Sequence, residues 1–326
     1  MSLLVVGSVA LDSVETPFGK RENVLGGSAT YFAAASSLLT RVSVVGVVGD
    51  DFPLDELEFL RKRGVVLDGL EKVPGKTFRW KGKYGFDLNA AQTLETQLNV
   101  FEHFQPKLDA AARRAERIFL GNIDPELQMR VLDQAERPRL VCADTMNYWI
   151  SSKRAQLLKL LPRVDVLMVN DSEVRQLAGE PNVMKAARAA QRMGAKVVVV
   201  KRGEYGALLV EAEDDGFAGA RAEPEGRSIG GERSFFSPAF PLADVVDPTG
   251  AGDSFAGGFL GLLDRLDASD GSSLRQATVM GSTIASFTVE QFSLDRLRAL
   301  DLPQIRRRFD AFRTLVQFDA LPEHVA

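Results

Sequence analysis

Val245-Val246-Asp247-Pro248-Thr249-Gly250-Ala251-Gly252-Asp253-Ser254-Phe255-Ala256-Gly257-Gly258-Phe259 runs from a β-branched segment through a turn into small and apolar residues at helical spacing. That order predicts strand, loop and helix start. Gly250, Ala251 and Gly252 carry little or no side chain, so their backbone N–H groups can approach a ligand closely. If they open the helix that continues through Phe255, Gly258 and Phe259, those donors have no intrahelical acceptor and sit at the positive end of the helix. A phosphate, or the charge that builds up on one in transfer, is stabilised in such a place. Asp253 follows at once, where a carboxylate either caps the helix or, beside an anion hole, takes a proton from a hydroxyl. A bare Gly-x-Gly-Asp would read as the cap alone.

The rest of the chain bounds the context. At 326 residues it is long enough for one large α/β domain or two smaller ones. Hydrophobic content of 45% and charged content of 26% are those of a globular protein. A net charge of −4 gives no electrostatic reason to expect nucleic acid or an anionic membrane as partner. The single cysteine, Cys142, rules out an internal disulfide, suits a reducing cytoplasmic location, and in the run Arg139-Leu140-Val141-Cys142-Ala143 reads as a buried thiol. Two histidines and one cysteine leave no zinc cluster, so any metal would be a hard cation held by oxygen. The apolar start, Leu3 to Val6, lacks a basic leader and is too short to span a membrane, so it reads as the first strand of a buried sheet.

Further strands are expected at Val42–Val48, Ile118–Leu120, Leu140–Ala143, Val166–Val169, Lys196–Val200 and Ala207–Val210. Helical patterns fall between them at Thr30–Leu39, Leu54–Arg63, Pro125–Ala135, Ser152–Leu161 and Val183–Met193. This alternation predicts an α/β protein with a mostly parallel sheet, helices on both faces, and ligands at the carboxyl ends of the strands. One region departs from it. Lys76 to Gly85 alternates polar and aromatic residues as a half-exposed strand does, with a second strand expected at Thr93–Val100. With residues 12–26 it would form a small sheet off the main body. Glu211–Ser234, rich in Gly, Glu and Arg, reads as an exposed hairpin or loop.

The full string D-P-T-G-A-G-D-S-F-x-G-G-F resembles the C-terminal signature of the ribokinase-like (PfkB) family of sugar and nucleoside kinases. The resemblance implies a three-layer α/β/α fold over residues 1–326 as a single domain, with a β lid built from about 12–26 and 73–101 that in some members also makes a dimer. It places the anion hole on Gly250, Ala251 and Gly252 and the catalytic base on Asp253. Motifs follow in the expected order along nearly the whole chain. Asp12, at the end of the first strand, matches the family's binder of substrate hydroxyls, though alone it reads as a turn residue. Gly26 and Gly27 match the N-terminal di-glycine that lines the sugar pocket. Where many relatives carry Asn this chain has Tyr31, either at the pocket rim or facing the core. Asn170 and Glu173 match the N-x-x-E motif that supports Mg²⁺ and its waters, and the same pair would make a capping box for the helix that follows. Gly203 and Gly206 match a turn near the nucleotide phosphates and with Lys201, Asn170 and Thr249 are assigned to the cofactor; alone, the turn reads as a hairpin without ligand, with Lys201 and Arg202 solvated. Asp144 and Asn147, ending the strand of Cys142, are assigned to the substrate side. Asp247 and Thr249 match positions that in some members help bind a monovalent cation such as K⁺, with further ligands near Ala285-Ser286.

The expected activity is therefore ATP- and Mg²⁺-dependent phosphorylation of a hydroxyl of a sugar or polyol. A nucleoside kinase is the alternative, with Phe78, Trp80, Tyr31 and Phe101 as aromatic faces for a base. A non-catalytic sensor of sugar or nucleotide is a third reading, disfavoured by the intact Gly-Ala-Gly-Asp. A dinucleotide-binding dehydrogenase lacks its glycine triplet after the first strand.

Overall fold

The computed structural model describes residues 3–211 and 233–319. In chain order the strands are β1 (Leu3–Val6), β2 (Ala10–Thr16), β3 (Gly19–Gly26), β4 (Val42–Val48), β5 (Val66–Lys72), β6 (Arg79–Tyr84), β7 (Ala91–Gln97), β8 (Arg117–Leu120), β9 (Leu140–Asp144), β10 (Val166–Asn170), β11 (Val197–Lys201), β12 (Ala207–Glu211) and β13 (Ser234–Ser237). The helices are α1 (Ser28–Ser36), α2 (Glu58–Lys62), α3 (Pro125–Gln134), α4 (Asn147–Ser152), α5 (Arg154–Leu160), α6 (Asp171–Ala178), α7 (Val183–Arg192), α8 (Ala251–Leu266), α9 (Gly271–Thr288), α10 (Asp295–Arg298) and α11 (Leu302–Val316).

Among the described residues the main sheet has nine strands in the order β13-β12-β11-β10-β9-β8-β1-β4-β5. From β11 to β5 every neighbour is parallel, while β12 and β13 close one edge antiparallel. The parallel strands are apolar on both faces because helices cover both. Leu3 and Val5 point into a core shared with α1, α8 and α9, whereas Leu4 and Val6 point into one shared with α3, α5, α6 and α7. The expected α/β architecture is met. No helix is long and apolar enough to cross a membrane among the described residues.

A second sheet, in the order β3-β2-β6-β7, stands off the first. It joins residues from both of the segments read as a small sheet in the sequence, but its last strand is Ala91–Gln97 rather than Thr93–Val100. Leu98, at φ −63° and ψ −40°, leaves the extended backbone, Asn99 follows at φ 50°, and a 3-10 turn runs over Asn99–His103.

Three other expectations change. β5 lies in a stretch with no apolar run: Val66-Leu67-Asp68-Gly69-Leu70-Glu71-Lys72 is a half-exposed edge strand held by its ladder to β4. Leu54–Arg63 is a 3-10 turn over Leu54–Leu57 and then α2. Ser152–Leu161 is broken at Lys153, whose φ of −128° leaves the helical range between α4 and α5. The expected loop over Glu211–Ser234 lies, apart from its ends, outside the described residues.

Helix α8 carries the decisive motif, and glycines set its depth. A Cβ at Gly257 would stand 2.5 Å from the Phe32 carbonyl oxygen on α1, and one at Gly258 2.9 Å from Ile284 Cγ1 on α9. Only hydrogen at these positions lets α8 sink between its neighbours. At its far end a buried ion pair ties it to the sheet. Arg117 Nη1 on β8 donates to Asp264 Oδ1 at 3.0 Å, with side-chain exposures of 4% and 3%, and Nη2 donates to Asp267 Oδ1 at 2.8 Å.

Removing one partner of a buried pair leaves the other charge desolvated and uncompensated. Asp264→Ala should lower unfolding free energy by about 3 kcal/mol, as Asp267 retains part of the interaction. Urea denaturation of the variant checks it; a loss below about 1 kcal/mol would show that the pair does not anchor α8.

Candidate active site

The first turn of α8 stands at the carboxyl ends of the parallel strands. Gly250 is its N-cap at φ 74°, and the ring of Tyr31 on α1 lies so close that a Cβ at Gly250 would run into it. Tyr31 is thus buried beneath the helix start rather than standing at a pocket rim. Its burial, with Asp247, Asp12, Tyr84 and Asp253 nearby, pushes the phenol well above its ordinary range, so it stays neutral. Ahead of the helix, Asp247 is spent on the loop. Its Oδ1 accepts from the Thr249 N–H at 2.9 Å and its Oδ2 from the Ser293 N–H at 3.0 Å.

Around this helix start gather the side chains of three strand ends. Lys201 closes β11, and its Nζ donates to Asp144 Oδ2 on β9 at 2.5 Å in a largely buried ion pair. The same ammonium lies 3.1 Å from where a Cβ on Gly252 would be. Lys201 is therefore an internal cation beside the start of α8, and of its two readings the solvated one does not hold. Burial works against its charge, but Asp144 and Glu173 outweigh it and hold the pKa above the ordinary lysine value.

Asn170 ends β10 in the ladder position beside Lys201. Its Oδ1 accepts from the Glu173 N–H at 2.7 Å, and Glu173 Oε2 accepts from the Asn170 N–H at 2.6 Å, which is the capping box of α6. Oε1 of Glu173 lies outside that box. Burial, then repulsion from Asp144, raises the Glu173 carboxyl to about 7, against the pull of Lys201. Asp253 is raised to about 7 by the same causes in the same order.

Asp12 on β2 faces this group from the second sheet. Its carboxylate accepts from the Gly27 N–H and lies against Gly26, where a side chain would displace it. Burial, and then Asp247 and Asp253, raise it to about 7 in spite of that hydrogen bond. Reciprocal bonds between Ser8 and Ser28, with Ser8 N–H to Ser28 Oγ at 3.1 Å and Ser28 N–H to Ser8 Oγ at 3.0 Å, hold the di-glycine loop on the end of β1.

The second sheet also touches the main body directly. Tyr84 OH on β6 accepts from Thr249 Oγ1 at 3.4 Å, and Asn89 Nδ2 donates to Glu204 at 2.8 Å in the turn between Gly203 and Gly206. That turn, with φ 54° at Gly203 and 85° at Gly206, carries the chain from β11 to β12 beside Lys201.

Most of the residues singled out in the sequence thus converge, but Asn147 does not. As the first residue of α4 it is exposed and its amide donates to Gln176 on α6. Asp144 joins Lys201 and Asp253 rather than the Asp12 side. Ala285 and Ser286 lie near the end of α9, where the Ala285 carbonyl accepts from Val289 N–H at 3.3 Å and Ser286 Oγ accepts from Arg308 at 3.0 Å. Two groups were not legible. Tyr84 offered no motif beyond its place in an alternating strand, and Ser293 reaches Asp247 through its backbone at φ 54°.

Carboxylates crowd here around one lysine. A phosphorylated ligand would meet the amides of α8 and Lys201, and a divalent cation would relieve the repulsion that raises Glu173 and Asp253. Among the described residues no group of three or more His, Cys, Asp or Glu is arranged to hold a bare metal ion. The donor set fits Mg²⁺ brought in on phosphate oxygens, since that ion keeps few protein ligands.

The family model described as pfkB family carbohydrate kinase matches residues 3–297. A cytidine kinase of Thermococcus kodakarensis is 31% identical over 275 residues, covering 80% of this chain and 87% of that protein. The structure of a Burkholderia thailandensis nucleoside kinase in complex with inosine aligns with a TM-score of 0.72 at 19% identity, over 95% of this chain and 97% of that one. Arabidopsis thaliana ribokinase complexed with ribose and ATP aligns at 0.71 and 21% identity, over 94% and 98%. At these identities the two structures establish the fold.

Lys201 holds the Asp253 and Glu173 carboxyls below the values that burial and Asp144 alone would impose. Lys201→Met should therefore move both titrations upward from about 7 in the nucleotide-free protein, as read by carboxyl ¹³C shifts against pH. An unmoved Asp253 titration would separate the lysine from the helix start.

Proposed function

The chain belongs to the pfkB family of carbohydrate kinases, and from that premise we propose that it transfers the γ-phosphoryl group of ATP to a sugar hydroxyl at the first turn of α8. The observation that carries the proposal is the position of Asp253, in the helix turn whose amides face the same space, with Lys201 beside it and Asp12 opposite. Asp12 and the backbone at Gly26 and Gly27 hold the acceptor by its hydroxyls. Asp253 takes the proton of the attacking hydroxyl, and a carboxyl at about 7 is divided between its two forms near neutral pH, as a general base should be. The N–H groups of Gly250, Ala251 and Gly252 stabilise the phosphoryl group in flight. Lys201, with the Gly203–Gly206 turn and Thr249, positions the phosphates. Asn170 and Glu173 would hold Mg²⁺, and that ion would supply neutralisation of charge on the nucleotide phosphates. The second sheet, anchored through Tyr84 and Asn89, acts as a lid that keeps water from the transfer.

A second reading concerns the acceptor alone: the hydroxyl belongs to the sugar of a nucleoside rather than to a free sugar or polyol. The cytidine kinase of T. kodakarensis, alike over 87% of its own length, favours it.

ADP release with ATP and Mg²⁺, measured across pentoses, hexoses, inositols and nucleosides, tests the proposal. Asp253→Asn should cut turnover on the accepted substrate by about 10²–10⁴. It has a second signature. A carboxyl whose folded pKa exceeds its unfolded value binds its proton more tightly when folded, so ionising it costs stability as pH rises from about 4 toward 7. Asp253→Asn should therefore raise the melting temperature relative to the parent more at pH 8 than at pH 5. Full activity in the variant would remove Asp253 from the base role.

A further inference from the structure

The cleft-facing side of the second sheet holds one aromatic ring that packing leaves free. Of the four aromatic residues considered as faces for a base, Phe78 and Phe101 have ring centroids 5.4 Å apart and pack in the core that includes Phe104. Tyr31 lies under Gly250. Trp80 is half-buried and belongs to neither core.

The strand register fixes its direction. β2 and β6 run parallel with Asp12 beside Trp80 and Val14 beside Gly82, so these residues share a face. Tyr84, of the same parity on β6, reaches Thr249, which identifies that face as the one turned to α8. The opposite face carries Ser13, Glu15, Lys81 and Lys83, with Glu15 and Lys83 paired at 2.7 Å.

The ring also lies down. A Cβ on Gly82 would run into the six-membered ring of Trp80, so the indole is folded over the bare backbone of Gly82. Its Nε1–H donates to Thr93 Oγ1 at 3.2 Å, on the strand position opposite Gly82, which stops the ring from turning. One face is pressed on the sheet over Gly82, toward β7, and the other is directed away from the sheet on the side that Asp12 shares.

We infer that Trp80 is the platform on which the base of a nucleoside acceptor stacks, with Asp12 on the adjacent strand holding the hydroxyls of its sugar. The inference rests on the kinase reading above and names its substrate class. Asp12 and Trp80 occupy paired positions on strands about 4.8 Å apart, and the ring runs from there along β6 over Gly82, so a hydroxyl-binding carboxylate and a flat π face follow one another on the same side of the sheet, as sugar and base do in a nucleoside. A nucleobase offers the indole a π face of its own, which the C–H groups of a free sugar or polyol do not.

The chain has two tryptophans, Trp80 and Trp149, so Trp149→Phe leaves Trp80 as the only indole fluorophore. Titrating that protein with cytidine, uridine, adenosine, inosine and ribose should quench Trp80 with one or more nucleosides and not with ribose. In the otherwise unaltered chain, Trp80→Ala should raise Kd and KM for the accepted nucleoside by about 10- to 100-fold, with the KM for ATP unchanged and Trp80→Phe recovering most of the loss. Unchanged nucleoside binding in Trp80→Ala, or ribose preferred to every nucleoside, would overturn the platform and leave the kinase standing. Nucleoside-specific quenching without phosphoryl transfer to any acceptor would support the platform and sink the kinase reading.

Discussion

The buried contact between Lys201 and Asp144 organises the charge of the whole site. Two strand ends deliver these groups to within 2.5 Å of each other, and the ammonium remains close to Gly252 at the start of α8. Burial makes each nearby ionised carboxylate costly, and Asp144, Glu173 and Asp253 repel one another. Lys201 is the charge that keeps Glu173 and Asp253 within reach of ionisation near neutral pH. An attractive pair in this setting is less a source of net stability than a means of fixing protonation states.

That arrangement depends on how deeply α8 is seated. Gly257 and Gly258 allow α1 and α9 to approach its backbone, and the Arg117–Asp264 pair ties its other end to β8. Tyr31 then supports Gly250 from below, where only a glycine tolerates both the φ of 74° and the ring beneath it. The N-terminal amides are thereby placed over the carboxyl ends of β9, β10 and β11. In an open parallel sheet this is where side chains from successive strands can meet without crossing the core.

The second sheet brings the opposing wall. Its charged side faces solvent, while the other side presents Asp12, Trp80 and Tyr84 to the helix start. Polar contacts join it to the body at several points: Tyr84 near Thr249, Asn89 at the Gly203–Gly206 turn, Arg79 with Asp51 at 2.7 Å, and the Leu25 carbonyl, which accepts from Ser293 Oγ at 2.5 Å.

Local chemistry was enough to read much of this from the chain. The β-branched runs, the Gly-x-Gly-Asp helix start and the Asn170–Glu173 capping box depend on residues within a few positions of one another, so their patterns survive in one dimension. Edge strand β5 was illegible, since its half-exposed residues carry no apolar signal and only the ladder to β4 holds it extended. Asn147 read as a cleft residue because it follows a strand end, yet the start of α4 turns its amide toward Gln176. The burial of Lys201, the placing of Tyr31 beneath Gly250 and the flattening of Trp80 on Gly82 all arise between residues far apart in the chain. The sequence by itself thus determined the architecture and most of the polar groups that gather at the start of α8. Tertiary structure decided their protonation, their facing and their neighbours, because burial and the distances between charges exist only once the chain has closed on itself.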